Sequence, residues 1–180
     1  MTENSASAVT EQNIEEYQRD GVTCIRGAIS MDWIEQLRPA ADWAQANYGP
    51  YDGDISAGAE DQFYGGQFMW WREDPFRDFI LDGAAAAIAQ ALTGAPEIRL
   101  FYDFLLTKEA GAGNPTPWHQ DRLYYPLAGD GADNVCTTWI ALDPVTLNSG
   151  AVEYVKGSHA WGRYFAPKSF NDDGRYGGLD

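Results

Sequence analysis

The apolar residues of this chain change their spacing near residue 96, and this change constrains the fold more than any other feature of the sequence. Before it, apolar side chains recur at helical intervals, as in the run Trp33, Ile34, Leu37, Ala41 and Ala44. After it, every second residue is apolar: Ile98, Leu100, Tyr102, Phe104 and Leu106. The first spacing is typical of amphipathic helices and the second of strands. Helices followed by antiparallel strands predict an α+β fold whose β part is a sheet sandwich or a jelly roll.

Start and stop signals divide the first part into helices. Thr10 is a suitable N-cap, and Gly21 suits the left-handed residue that ends a helix. Ser30 is placed to cap a second helix, which Pro39 must bend or interrupt because proline lacks the backbone N–H of a helix interior. Two further helices are predicted, one beginning at Asp74-Pro75 and one from Ala84 to Leu92 with Gly94 at its end.

Between the second and third helices, Tyr48 to Asp74 has no regular pattern and is rich in glycine and aromatic residues. A segment of this length in a compact domain is either a lid or binding loop, or a folded layer over the core. The pattern leaves both alternatives open. Besides the strand that begins at Ile98, strands are predicted around His119 and at Val22 to Arg26, Val135 to Leu142 and Ala151 to Lys156.

Length and charge limit the class of protein. With 180 residues, 44% of them hydrophobic, the chain is long enough to bury a core and short enough for a single domain. Within it we expect a disordered tail at 1–8, a mainly helical part with the aromatic segment at 9–95, and the first strands of the β part at 96–180. The net charge of −15 argues against nucleic acid or an anionic membrane surface as a partner.

The N-terminal residues and the cysteines indicate the compartment. Residues 1–13 lack the basic and apolar runs of a signal peptide, and no stretch approaches transmembrane length, so we expect a cytoplasmic protein. Cys24 and Cys136 lie far apart in apolar surroundings without metal-ligand spacing. We expect both to be buried, reduced thiols. The sequence says nothing about the oligomeric state.

The stretch Trp118-His119-Gln120-Asp121 carries the chemistry. It holds one of the two histidines of the chain, with a carboxylate two residues later. In a strand, side chains two residues apart point to the same face, so His119 and Asp121 would project together. An imidazole and a carboxylate on one side of a metal are typical of the facial triad of non-haem Fe(II) oxygenases, which also needs a second histidine. The alternative is a structural histidine hydrogen-bonded to Asp121.

Three stretches follow one another from Phe101 to about Phe170: FYDFLLTKEAG, TPWHQDRLYYPL and TTWIALDPVTLNSGAVEYVKGSHAWG. In this order they resemble the phytanoyl-CoA dioxygenase family of Fe(II)- and 2-oxoglutarate-dependent oxygenases. The resemblance implies a double-stranded β-helix, the cupin-like jelly roll, on which the N-terminal helices pack. It further implies hydroxylation of a small molecule with consumption of O₂ and 2-oxoglutarate and release of succinate and CO₂.

The resemblance also implies roles for single residues. His119 and Asp121 would be the first two iron ligands, and Trp139 and Tyr102 would line the 2-oxoglutarate pocket. Trp118 and Tyr124 are candidates for a substrate wall, although aromatic residues on strands commonly pack in the core. His159, in a Gly-Ser-His turn, is either a residue of the pocket wall or a turn residue.

Two elements of the family pattern do not occur in this sequence. They are the third iron ligand, a histidine on a late barrel strand, and the arginine after it that pairs with 2-oxoglutarate. A jelly roll has about eight strands, more than the pattern predicts here, so we expect the chain to be the front part of a longer protein. Two alternatives remain: a non-catalytic jelly-roll binding module or inactive fragment, and a metal-dependent cupin-like isomerase or lyase.

Overall fold

The computed structural model describes residues 8–55, 63–111, 116–127 and 134–167 of the chain. The helices of this part are α1 Glu11–Asp20, α2 Met31–Ala46, α3 Met69–Arg72, α4 Asp74–Asp82 and α5 Ala85–Thr93. Its strands are β1 Asp52–Asp54, β2 Phe63–Gln67 and β3 Phe104–Lys108, and short 3₁₀ turns lie at Asp121–Tyr124 and Ser158–Ala160. Helices combined with an antiparallel sheet confirm the predicted α+β class.

Helix α1 begins and ends where the sequence predicts. Thr10 Oγ1 accepts a hydrogen bond of 3.2 Å from the Asn13 backbone N–H, and Asn13 Oδ1 accepts one of 3.0 Å from the Thr10 N–H. These two bonds close a capping box, which satisfies backbone donors that a helix N-terminus otherwise leaves unpaired. At the other end Gly21 has φ 77°, and its N–H donates to Tyr17 O at 2.8 Å. Glycine takes this left-handed conformation without a Cβ penalty.

Two further helix boundaries agree with the prediction. Helix α2 begins directly after Ser30, and α5 ends at Gly94 with φ 68°. Helix α2 continues through Pro39 from Met31 to Ala46. The alternative that Pro39 interrupts this helix is therefore wrong.

The aromatic segment after α2 forms part of a folded layer. Strands β1, β2 and β3 pair antiparallel in the order β1-β2-β3, with Asp52 opposite Gly66 and Phe63 opposite Lys108. Tyr64 of the central strand is fully buried. A Cβ at Gly66 would collide with the Tyr64 hydroxyl, so glycine is needed there for the tyrosine to lie flat along its own strand.

The core consists of two clusters. The larger lies where α2 and α4 cover one face of the sheet, and its buried members are Leu37, Ala40, Ala44, Tyr64, Met69, Phe76, Phe79 and Leu105. The smaller lies between α1 and α5, with Ala84, Ile88 and Leu92 buried against Ile14 and Tyr17. Each fully buried large apolar side chain contributes about 1.5–3 kcal/mol relative to exposure, so the larger cluster carries most of the stability of this part.

Several predicted strands do not form in the described residues. Val22–Arg26, Val135–Leu142 and Ala151–Lys156 are not assigned as strands, and of the long strand begun at Ile98 only Phe104–Lys108 pairs. The chain around His119 is a loop leading into a 3₁₀ turn instead of a strand. A strand forms only beside a hydrogen-bonded neighbour. In the described part, the only pairing that involves the C-terminal half of the chain is that of β3 with β2. These strand predictions are wrong here; the jelly roll stays a prediction.

Three other predictions concern the tail, the membrane and the thiols. The tail predicted at 1–8 lies, except for its last residue, outside the described residues, as do 168–180. Within the described part, no helix has the length and apolar character that crossing a membrane requires. Cys24 and Cys136 are free thiols, as predicted, but Cys24 is exposed and Cys136 half-buried, so the prediction that both are buried is wrong.

Candidate metal centre

His119 and Asp121 meet although the strand predicted for them does not form. His119 lies in the loop before the 3₁₀ turn, and Asp121 is the first residue of that turn. His119 Nε2 is 3.0 Å from Asp121 Oδ1, and the two side chains are 28% and 46% exposed. A separation of two residues is short enough for the side chains to converge in a tight turn as well as in a strand. The pair therefore faces an accessible side of the protein.

The backbone fixes the orientation of the His119 ring. Its Nδ1 lies 2.7 Å from Pro117 O, which can only accept, so Nδ1 carries a proton. Nε2 therefore faces Asp121 either as a donor, in the imidazolium, or with a free lone pair. The hydrogen bond to Asp121 raises the pKa of His119, and the same bond lowers the pKa of Asp121. In the imidazolium form, a proton lies between Nε2 and Oδ1.

These two atoms have the spacing of neighbouring ligands on one divalent ion. Two ligands at about 2.1 Å from an octahedral ion, at a right angle to each other, are about 3.0 Å apart. A backbone carbonyl on the second imidazole nitrogen is the usual way in which a metal-binding histidine is oriented. The pair fits an ion that accepts nitrogen and oxygen ligands. Among the described residues, no third His, Cys, Asp or Glu joins it.

The second oxygen of Asp121 is held by a residue that the sequence reasoning missed. Thr137 Oγ1 donates to Asp121 Oδ2 at 3.2 Å, and the Tyr125 hydroxyl lies 3.5 Å from Thr137 Oγ1. Thr137 precedes Trp139 by two residues in the stretch TTWIAL. A hydroxyl at that spacing was the available signal, because side chains two apart in an extended segment share a face.

Aromatic residues surround one side of the pair. The Tyr124 ring meets the His119 ring edge to face at 5.7 Å, and the Tyr102 and Tyr125 rings meet in the same way at 5.9 Å. Burial raises the pKa of Tyr102, and the charge of Asp121 raises it further. The pKa of Tyr154 is raised by the same two causes in the same order. Of the residues predicted from the sequence, Tyr102 and Tyr124 are thus brought to the metal-binding pair.

Gln120, between the two candidate ligands, ties a distant segment to the centre. Its Nε2 donates to Arg163 O at 3.2 Å, and its Oε1 accepts from the Phe165 N–H at 2.9 Å. The Arg163 guanidinium lies over the rings of Phe165 and Trp161, at 5.0 and 5.7 Å. One amide side chain thus uses both a donor and an acceptor to hold an aromatic segment beside His119 and Asp121.

The other three predicted residues lie in different surroundings. Trp118 is 67% exposed and Trp139 44% exposed. His159 Nε2 is 3.3 Å from Gln18 O, and its ring covers Gly21, where a Cβ would collide with it. These contacts place His159 on the C-terminal end of α1, in agreement with the alternative of a turn residue.

A family model described as phytanoyl-CoA dioxygenase (PhyH) matches residues 17–178 of the chain. The matched range contains the end of α1, helices α2 to α5, the sheet, the candidate metal ligands and every other residue of the centre described above. No curated protein and no solved structure gives a significant match.

Proposed function

Because the chain belongs to the phytanoyl-CoA dioxygenase family, whose members are in general Fe(II)- and 2-oxoglutarate-dependent oxygenases, we propose that it takes part in the hydroxylation of a small organic molecule, with release of succinate and CO₂. The observation that carries this proposal is the 3.0 Å separation of His119 Nε2 and Asp121 Oδ1, with Nδ1 of the histidine bound to a backbone carbonyl. This arrangement presents a nitrogen and an oxygen to one ion and fixes the histidine tautomer that metal binding needs.

His119 Nε2 and Asp121 Oδ1 would hold the iron. Because a bound imidazole nitrogen is unprotonated, metal binding at this pair releases a proton whenever His119 starts as the imidazolium. When bound, Fe(II) supplies the activation of O₂ that is coupled to decarboxylation of 2-oxoglutarate. The roles of the chain are to orient Nε2 and Oδ1, to leave the remaining positions open, and to place the substrate C–H bond beside them.

The finer assignments are part of the proposal. Tyr102 and Trp139 are assigned to the 2-oxoglutarate pocket. Tyr102 packs against Tyr125, and the charge of Asp121 raises its pKa. Trp118 and Tyr124 are assigned to the substrate side, with Tyr124 supported by its contact with the His119 ring. Residues 96–180 are assigned to the first strands of a cupin-like jelly roll, and the protein to the cytoplasm.

The substrate class follows from charge. The chain has 27 acidic and 12 basic residues, and its sequence shows no basic cluster that would bind the phosphates of coenzyme A. We therefore assign a small secondary metabolite, amino acid derivative or organic acid in preference to an acyl-CoA.

A second candidate function is a non-catalytic binding module of the same family. It is favoured by one observation: the described residues supply two metal-ligating side chains to the centre and no third His, Cys, Asp or Glu. Such a module would bind a small molecule in the same place without turning over 2-oxoglutarate.

Anaerobic titration with Fe(II), followed by 2-oxoglutarate, tests both candidates. We expect the chain to bind Fe(II) and His119→Ala and Asp121→Ala to lose that binding together with any succinate formation. Asp143→Ala is the matched control, because this carboxylate is 81% exposed and pairs with Arg38 on α2. Undiminished Fe(II) binding in both site variants would refute the metal assignment. Binding of Fe(II) without binding of 2-oxoglutarate would favour the non-catalytic module.

A further inference from the structure

We infer that Thr137 is a positioning residue whose hydroxyl holds the Asp121 carboxylate in the orientation that binds metal, with Tyr125 supporting it. This inference rests on the proposed function, since it concerns the same pair of ligands. The observations behind it are the 3.2 Å bond from Thr137 Oγ1 to Asp121 Oδ2 and the 3.5 Å contact between Thr137 Oγ1 and the Tyr125 hydroxyl.

His119 contacts Oδ1 of Asp121, and the Thr137 hydroxyl adds a donor on Oδ2. The terminal torsion of an aspartate is broad and nearly two-fold, so an exposed carboxylate exchanges its two oxygens freely. With 46% of the Asp121 side chain exposed, packing alone does not stop this rotation. A donor on Oδ2 makes the two oxygens different, so that Oδ1 stays on the side of His119 Nε2.

The direction of the hydrogen bond between Thr137 and Asp121 is determined. An ionised carboxylate only accepts, so the hydroxyl hydrogen of Thr137 points to Asp121. Thr137 Oγ1 is then free to accept, and the Tyr125 hydroxyl has both Thr137 Oγ1 and the Asp121 carboxylate as hydrogen-bond partners. Burial raises the pKa of Tyr125 above its ordinary value, so the phenol is protonated at neutral pH and able to donate. Removing the Thr137 hydroxyl therefore removes the donor to Oδ2.

Tyr125 is itself fixed by packing. The Tyr125 ring meets the edges of Phe101 at 5.7 Å and of Tyr102 at 5.9 Å. Both aromatic residues lie just before β3 and reach the sheet through their backbone. The position of the Asp121 carboxylate is in this way tied to the rigid part of the fold.

The test compares Mn(II) binding by calorimetry in the wild-type chain and three variants. Thr137→Val keeps the shape of the side chain and removes the hydroxyl, and Thr137→Ser keeps the hydroxyl. Thr138→Val changes the neighbouring exposed threonine in the same way and is the matched control. We expect Thr137→Val to weaken Mn(II) binding about 10- to 100-fold, the usual effect of losing an outer-shell partner. Thr137→Ser should stay within about threefold of wild type, and Thr138→Val should bind as wild type does.

A second readout separates orientation from folding. Unfolding midpoints of the metal-free proteins should agree among the four chains, and addition of Mn(II) should raise the midpoint least in Thr137→Val. Tyr125→Phe, which leaves the Thr137 bond intact, should weaken binding less than Thr137→Val does. If the wild type binds Mn(II) and Thr137→Val binds it equally well, the positioning role is refuted while the metal site stands. If the wild type binds no Mn(II), the metal site itself is refuted, and the role of Thr137 with it.

Discussion

Replacing Arg72 by methionine removes the cation that neutralises a fully buried carboxylate. The Asp52 side chain is 0% exposed, and its Oδ2 accepts hydrogen bonds from Arg72 Nη1 at 2.5 Å, Tyr64 OH at 2.7 Å and Gly49 N at 2.8 Å. The Arg72 side chain is 14% exposed, and its Nη2 also donates to Asn47 O at 2.9 Å. The pair links β1 to α3 and closes the edge of the layer that carries the aromatic segment.

The expected loss can be worked out from these contacts. Removing one partner of a buried ion pair costs about 3–5 kcal/mol, because the remaining charge stays buried without compensation. Asp52 keeps its bonds from Tyr64 and Gly49, so the lower end, about 3 kcal/mol, applies. The lost bond to Asn47 adds about 1 kcal/mol. The Arg72→Met variant should lose about 4 kcal/mol, a large part of the 5–15 kcal/mol of a typical domain.

Adding Asp52→Asn to this variant should recover part of the loss, because the buried charge is then gone and the neutral amide still reaches its neighbours. Urea unfolding monitored by circular dichroism measures the unfolding free energies of the single and the double variant. Each change should appear as a shift of the midpoint at an unchanged slope. The control is Arg77→Met, whose 2.6 Å pair with Asp74 lies at the surface with side chains 42% and 76% exposed. It should cost at most about 1 kcal/mol. The reasoning is refuted if Arg72→Met costs no more than Arg77→Met, or if the double variant is less stable than Arg72→Met alone.

Two further predictions follow from the same kind of contact. Burial by itself raises the pKa of Asp52, but the hydrogen bonds to its carboxylate outweigh burial and leave this pKa lowered. The stability that ionised Asp52 contributes is therefore present above its unfolded pKa of about 3.9 and lost as pH falls through the lower folded pKa. We expect the difference in unfolding free energy between wild type and Asp52→Asn to shrink as the pH falls from about 6 to about 2. A difference that stays constant over this range would contradict the prediction. Gly21→Ala should lower the unfolding free energy more than Gly94→Ala: both glycines have positive φ, but only at Gly21 would a Cβ meet the His159 ring. Alanine at a positive φ costs about 1 kcal/mol in either variant. Equal losses of unfolding free energy in the two variants, measured by thermal melting, would show that the His159 ring moves aside freely.

Helix boundaries could be predicted because the interactions that set them are local. The capping box of Thr10 joins residues three apart, and the left-handed turns at Gly21 and Gly94 depend on one residue each. The proximity of His119 and Asp121 is local in the same sense, since two residues of separation keep the side chains together even though the expected strand is a 3₁₀ turn.

Strand pairing could not be predicted in the same way. Alternation of apolar residues describes a surface that suits a sheet, but a strand forms only where another segment offers its backbone. Strand β3 finds that partner in β2, whose Gly65-Gly66 sequence carries little strand signal. Val135–Leu142 has the stronger alternation of apolar residues, but it forms no strand pairing with the described residues.

The sequence by itself determined both ends of α1, the start of α2, the end of α5, the α+β class, the family and the two candidate metal ligands. Each depends on neighbouring residues or on an ordered set of motifs. Only the tertiary structure decided that Asp52 is buried against Arg72, that Thr137 reaches Asp121, and that His159 docks on α1. Each of these contacts joins residues far apart along the chain. Their distances are set by how the helices and the sheet pack together, which no local pattern records.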